Sequence, residues 1–117
     1  MGFLTVVLFN VLTLASPADS VSKTGKATYY ANKFEGRKTT SGAIYRANKY
    51  TAAHRTLPFG TEVTVTNLSN GKTVKVIVND RGPFTKGMII DVSKIAAKEI
   101  GLYGKGITPC KITYEVP

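Results

Sequence analysis

Two stretches near the middle of the chain alternate apolar and polar residues: Glu62-Val63-Thr64-Val65-Thr66, and the β-branched run Val74-Lys75-Val76-Ile77-Val78. A period of two sends successive side chains to opposite faces of a strand. Asn67-Leu68-Ser69-Asn70-Gly71-Lys72 joins them, and its Asn-Gly pair predicts a tight turn, so the two strands form a β-hairpin. Lys26-Ala27-Thr28-Tyr29-Tyr30 predicts an earlier strand, and residues 34–48 read as a long loop without helical or strand period. Ile89-Ile90-Asp91-Val92 predicts a further short strand. Ser93 then caps a helix over Lys94 to Ile100, which Gly101 stops. Gly104-Lys105-Gly106 makes a turn, and the alternation from Cys110 to Val116 predicts a closing strand with Cys110, Ile112, Tyr114 and Val116 on its apolar side. Five or six short strands with one short helix predict a mainly β fold, a small barrel.

The N-terminus departs from this pattern. Residues 1–14 form a nearly unbroken apolar run, followed by Ala15-Ser16-Pro17-Ala18. The run is shorter than the roughly 20 residues that span a bilayer, and the small residues suit a peptidase, so residues 1–18 read as a signal peptide cleaved after Ala18. The competing reading is an N-terminal anchor. Residues 19–25, small and polar, read as a flexible lead-in, and 26–117 as one domain. The expected product is a monomer, secreted or periplasmic, with no membrane span after cleavage and no cysteine near the cleavage site to carry a lipid. Cys110 is the one cysteine, so it forms no internal disulfide, and its parity marks it as a packing residue rather than a nucleophile.

Sixteen Lys and Arg against seven Asp and Glu give a formal charge of +9. Such a surplus favours an anionic partner. An exported chain meets anionic envelope polymers before nucleic acid, which is the weakest of the readings considered. The basic residues are scattered, so a generally solvated surface is the competing explanation.

Few residues are equipped for chemistry. Strand parity from Val74 puts Val76, Val78 and Asp80 on one face, with the acid at the end of an apolar row. Partial desolvation there should raise its pKa towards that of a general acid. The alternative is that Asp80 caps the turn Arg81-Gly82-Pro83. His54 is the one histidine, so no metal site of the usual kind is expected, and no cofactor is implied. It either orients an acid or a sugar hydroxyl, or is a satisfied loop histidine. No serine sits in a nucleophile-elbow pattern. Tyr29, Tyr30, Tyr45, Tyr50, Phe34 and Phe59 offer rings for stacking on sugars, although rings in a small barrel also fill its core.

The motifs Ala27-Thr28-Tyr29-Tyr30, Phe34-Glu35-Gly36-Arg37-Lys38-Thr39, residues 51–61 around His54, Val65 to Gly71, Val78-Asn79-Asp80-Arg81-Gly82-Pro83-Phe84 and Ile90-Asp91-Val92-Ser93 occur here in one order. In them the chain resembles the RlpA-like (rare lipoprotein A) family of lytic transglycosylases, from about Gly25 to Val116. The resemblance implies a six-stranded double-psi β-barrel with one or two short helices. It also implies cleavage of the bond between N-acetylmuramic acid and N-acetylglucosamine in peptidoglycan, leaving 1,6-anhydro-muramic ends. Asp80 matches the family's catalytic acid and His54 its active-site histidine. Tyr30, Arg37, Thr39, Ser41, Asn79 and Arg81 are the candidate glycan-binding residues. One departure is Ala43, where the family commonly has an acid after Ser41-Gly42; Glu35 is the nearest acid in that loop.

Two functions follow. The first is a metal-independent peptidoglycan lytic transglycosylase, in which one carboxyl protonates the leaving oxygen and then accepts the C6 hydroxyl proton. The alternative is a non-catalytic glycan-binding or expansin-like wall-loosening module.

Overall fold

The computed structural model describes residues 19–116, so the expected signal peptide lies outside the described residues. The predicted hairpin is present: β3 (Glu62–Asn67) and β4 (Thr73–Asp80) pair antiparallel, with Val65 opposite Val74 and Val63 opposite Val76. Their buried valines alternate with exposed or half-buried residues, polar except for Ile77, as the period requires. Between them Gly71 takes φ 78°, a left-handed conformation that glycine adopts without steric cost.

The other strands are β1 (Ser20–Tyr29), β2 (Thr51–Ala53), β5 (Met88–Val92) and β6 (Thr108–Glu115). Together the six close into a barrel in the order β1-β5-β2-β4-β3-β6. Pairs β1–β5 and β2–β4 are parallel, and the remaining neighbours are antiparallel. Closure leaves no strand edge to manage, which suits a domain of this size.

Residues 20–25 were expected as a flexible lead-in, and this is corrected by the structure. They are the first part of β1 and pair with β6 from Ser20 opposite Glu115 to Gly25 opposite Cys110. Their side chains lack an apolar stripe because much of this ribbon faces solvent; the strand exists because β6 supplies its backbone partners. At Gly25 the Ile89 side chain lies against the backbone, and a Cβ there would stand 2.6 Å from Ile89 Cγ2.

The core joins Val63, Val65, Val74, Val76, Val78, Ile90, Val92, Cys110 and Ile112 from the strands to Ala96, Ala97 and Ile100 from the helical segment. Burial pushes the Cys110 thiol up to about 11, so it is a packing group and not a thiolate. The helix α1 spans Lys94–Glu99, and Ser93 occupies its N-cap position without a side-chain capping bond. The Ser93 hydroxyl is buried and has no hydrogen-bond partner among the described residues, so the expected cap is positional only. Gly101 ends the helix with φ 73°. The hairpin turn reaches this end, where the Asn67 and Asn70 amides donate to the Ile100 carbonyl at 2.7 and 3.0 Å.

Candidate active site

The β2–β4 register slips by one residue at the end of β4: Ala52 lies opposite Val78, but Ala53 opposite Asp80. Such an irregularity re-aims side chains at the end of a ladder. The carboxylate of Asp80 turns to a second, smaller cluster formed by Tyr30, Tyr45 and Ala53, with Phe34 packed against it. Tyr30 and Tyr45 stack at 4.3 Å between centroids, and Phe34 meets Tyr30 edge-on at 5.8 Å.

Three donors fix Asp80. The Tyr30 hydroxyl donates to Oδ2 at 2.5 Å, and the backbone N–H groups of Thr40 and Arg81 donate to Oδ1 at 2.8 and 2.9 Å. Burial pushes the Asp80 pKa up, but the bonds from Tyr30, Thr40 and Arg81 together pull it down further, and the net direction is below the ordinary carboxylate value. The expectation of a raised pKa is therefore overturned. Parity located the carboxyl correctly at the edge of the core; the donors come from segments that local sequence does not bring together. Burial and the bond to Asp80 raise Tyr30 in turn, so its hydroxyl keeps its proton.

His54 follows β2, and its backbone N–H donates to the Asp80 carbonyl at 3.0 Å. Its Nδ1 accepts the N–H groups of Thr56 and Leu57, both at 3.1 Å. Two donors on Nδ1 leave the proton of the neutral ring on Nε2. Burial first, then the positive charges of Arg55, Arg81 and Lys23, lower the His54 pKa. It is a neutral hydrogen-bond donor rather than a cation.

Arg81, a candidate for glycan contact, is engaged within the protein through one terminal nitrogen. Its guanidinium donates to the carbonyls of His54 and Leu57 at 3.1 and 2.7 Å and lies 4.1 Å from the Phe59 ring centre. It holds the His54 loop in place while its edge lines the cleft. Thr39 and Ser41 are also structural: their hydroxyls are 3.0 Å apart, Thr39 donates to the Ala43 carbonyl at 2.7 Å, and Ser41 N–H donates to the Asn79 carbonyl at 3.3 Å. These bonds present Thr40 to Asp80. Glu35 does not stand in for the acid missing at position 43, since its carboxylate accepts from Ala47 N–H at 2.8 Å and pairs with Arg46 at 3.2 Å.

Beside Asp80 opens a cleft of about 330 Å³. Of the candidates, Tyr30, Arg37, Asp80 and Arg81 line it, whereas His54, Thr39, Ser41 and Asn79 do not. Lys38, Phe84 and Asp91 line it too and were not anticipated. Phe84 is 76% exposed, unusual for so large a ring. Asp91 is pushed up to about 7, first by burial and then by the negative charge of Asp80. An acid between Ile90 and Val92 in a strand was the available signal, since aspartate is depleted in strands. A larger groove of about 490 Å³ between β3, β4 and β6 contains none of these residues. Among the described residues, no three His, Cys, Asp or Glu side chains are grouped to hold a metal ion.

Residues 22–112 match the family model described as lytic transglycolase. The chain belongs to the lytic transglycolase family. Relatives of this lytic transglycolase domain include the endolytic peptidoglycan transglycosylase RlpA of Pasteurella multocida, 57% identical over 90 residues that cover 77% of this chain and 31% of the relative. The probable endolytic peptidoglycan transglycosylase RlpA of Treponema pallidum is 50% identical over 106 residues, 91% of this chain and 33% of the relative. The chain thus spans about a third of the length of these curated relatives. Among solved structures, the Streptomyces papain inhibitor superposes with a TM-score of 0.66 at 24% identity, covering 82% of this chain and 96% of that one. An expansin of Clavibacter michiganensis superposes at 0.65 and 23% identity, covering 82% and 51%. Both show the fold, a double-psi β-barrel, as the resemblance implied.

Proposed function

We propose that this domain is a metal-independent endolytic peptidoglycan lytic transglycosylase of the cell envelope, cutting between N-acetylmuramic acid and N-acetylglucosamine to leave 1,6-anhydro-muramic ends. The observation that carries this reading is Asp80, a carboxylate held by three donors at the rim of a cleft, in a domain 57% identical to a named endolytic transglycosylase. Such a carboxylate stabilises positive charge developing at the muramic C1 and accepts the C6 hydroxyl proton as that oxygen closes on C1, while the departing glycosidic oxygen takes up one proton and leaves as the N-acetylglucosamine hydroxyl, so that no proton is gained or lost overall. The reaction needs no water nucleophile, so the pair of carboxylates flanking an attacking water in hydrolytic glycosidases is not required. His54 lies outside that cleft, and its neutral Nε2–H is a donor for a sugar hydroxyl or acetamido carbonyl of a glycan that extends past it. Arg37, Lys38 and the exposed ring of Phe84 receive the glycan, and the formal charge of +9 favours an anionic wall.

The test is digestion of purified sacculi, with the released fragments read by mass spectrometry. Wild-type protein should release anhydro-muramic fragments, and Asp80→Asn should release at least about 100-fold less. No such fragments, or release undiminished in Asp80→Asn, overturns the proposal.

Ala43 and the engagement of Glu35 with Arg46 and Ala47 favour a second reading, a glycan-binding module without bond cleavage. A structurally similar expansin was solved in complex with cellohexaose. Retention on insoluble peptidoglycan or cellulose without any released fragment would support it.

A further inference from the structure

Asp91 has no role in the reading above, yet it shares a cleft with Asp80. The two acids are brought there by one small residue. Ala53 on β2 pairs with Asp80 on β4 to one side and with Asp91 on β5 to the other. Their backbones are therefore two strand spacings apart, roughly 10 Å, with only a methyl group between them.

Their surroundings differ in kind. Asp80 receives donors on both oxygens, as an ionised carboxylate requires. Oδ1 of Asp91 is buried and has no hydrogen-bond partner among the described residues. An ionised carboxylate with a dry, unpaired oxygen is costly, and the negative Asp80 adds to that cost, so Asp91 holds a proton that Asp80 does not. The other groups facing this pair are Tyr30 beyond β1 and Tyr45 in the loop before β2, both neutral, and Arg37, Lys38 and Arg81 around the cleft. Two carboxyls driven to opposite protonation states in one cleft are the arrangement that divides acid from base. The value of about 7 for Asp91 agrees with this geometry.

We propose that the reaction is divided between the two carboxyls, Asp91 delivering a proton to the departing glycosidic oxygen and Asp80 receiving the proton of the muramic C6 hydroxyl. This rests on the transglycosylase reading. The bond from C1 to the glycosidic oxygen breaks with its electron pair on oxygen, which takes the Asp91 proton and leaves as the N-acetylglucosamine hydroxyl. The C6 oxygen then bonds to C1 and its proton passes to Asp80. Asp80 ends protonated and Asp91 ionised. Transfer of that proton from Asp80 to Asp91 restores the starting state, with no proton gained or lost overall.

The experiment has two arms on the full chain. In the first, carbon-13 NMR follows the aspartate carboxyl carbons against pH. Asp91 should titrate about three units above Asp80 or more, and in Asp80→Asn its midpoint should fall. In the second, turnover is measured on sacculi and on an N-acetylmuramic glycoside with a nitrophenolate leaving group, which departs without a proton. Asp91→Asn should lose about 100-fold or more on sacculi but stay within a few-fold of wild type on the nitrophenyl substrate. Asp80→Asn should lose activity on both. Equal losses for Asp91→Asn on the two substrates, or an Asp91 midpoint near 4, overturn the division of roles. If the wild type releases anhydro fragments and Asp91→Asn releases as many, this inference fails and the proposed function stands. If the wild type releases none, both fail.

Discussion

The hydroxyl of Tyr30 donates to Oδ2 of Asp80 at 2.5 Å, joining the residue after β1 to the last residue of β4 across 50 positions of sequence. Removing that one donor tests how the acid is held. In Tyr30→Phe the Asp80 pKa should rise towards its ordinary value, because one of the bonds favouring the ionised form is gone. The folded pKa of Asp80 lies below the unfolded value of 3.8, so its bonds stabilise the fold above that value and cease to do so as pH falls through the folded pKa. The loss in Tyr30→Phe should be about 1 kcal/mol at pH 7, discounted because Asp80 is half-exposed, and should shrink towards pH 2. Urea unfolding at the two pH values checks it.

Asp91 has the opposite sign. Its folded pKa of about 7 exceeds the ordinary aspartate value of 3.8, so between these values the folded state binds more protons and stability falls as pH rises. Asp91→Asn removes that slope. The variant should match wild type near pH 4 and exceed it by up to about 4 kcal/mol at pH 8, as three pKa units imply. Denaturant midpoints at pH 4, 6 and 8 measure this.

His54 contributes a slope of its own. With its pKa lowered from 6.5, the folded state binds fewer protons below that value, so stability is lost as pH falls through 6.5 towards the folded pKa. Protonating Nδ1 would also break the bonds from Thr56 and Leu57. Nitrogen-15 shifts at pH 7 should show the neutral Nε2–H tautomer. On acidification the Thr56 and Leu57 amides should shift together with the ring.

Arg81→Ala should destabilise the fold by about 2 kcal/mol, since it removes charged donors from the His54 and Leu57 carbonyls and a cation from the Phe59 ring. Arg81→Lys should recover less than half, because a lysine lacks the planar fork that bonds and stacks at once. Amide shifts of residues 54–57 would show whether the loop moves.

Elements with a local period were legible in the sequence. The hairpin, β5, the helix and β6 each show their own alternation or end signals, and the buried face of β4 was correctly placed. Residues 20–25 were not, because their strand depends on a partner 85 or more positions away, from Gly25–Cys110 to Ser20–Glu115. Strand β2 has only three residues, too few for a period to show. At the site, the position of Asp80 was readable and its ionisation was not, since Tyr30 and Thr40 reach it across 50 and 40 positions. Asp91 was read as part of a strand without its charge being weighed, and the bonds that tie one terminal nitrogen of Arg81 to the loop beside it had no local signal, since they reach back 24 and 27 positions.

The placement of Ala53 between the two acids has a mechanical consequence. Their spacing is set by the width of one strand within a closed barrel and not by the reach of a loop, so it inherits the stiffness of the sheet. Rearrangement of residues 37–43 around a glycan can change how Asp80 is solvated while leaving its distance from Asp91 unaltered. The spacing of the two acids is carried in the backbone, and amide hydrogens along β2 should be among the slowest to exchange.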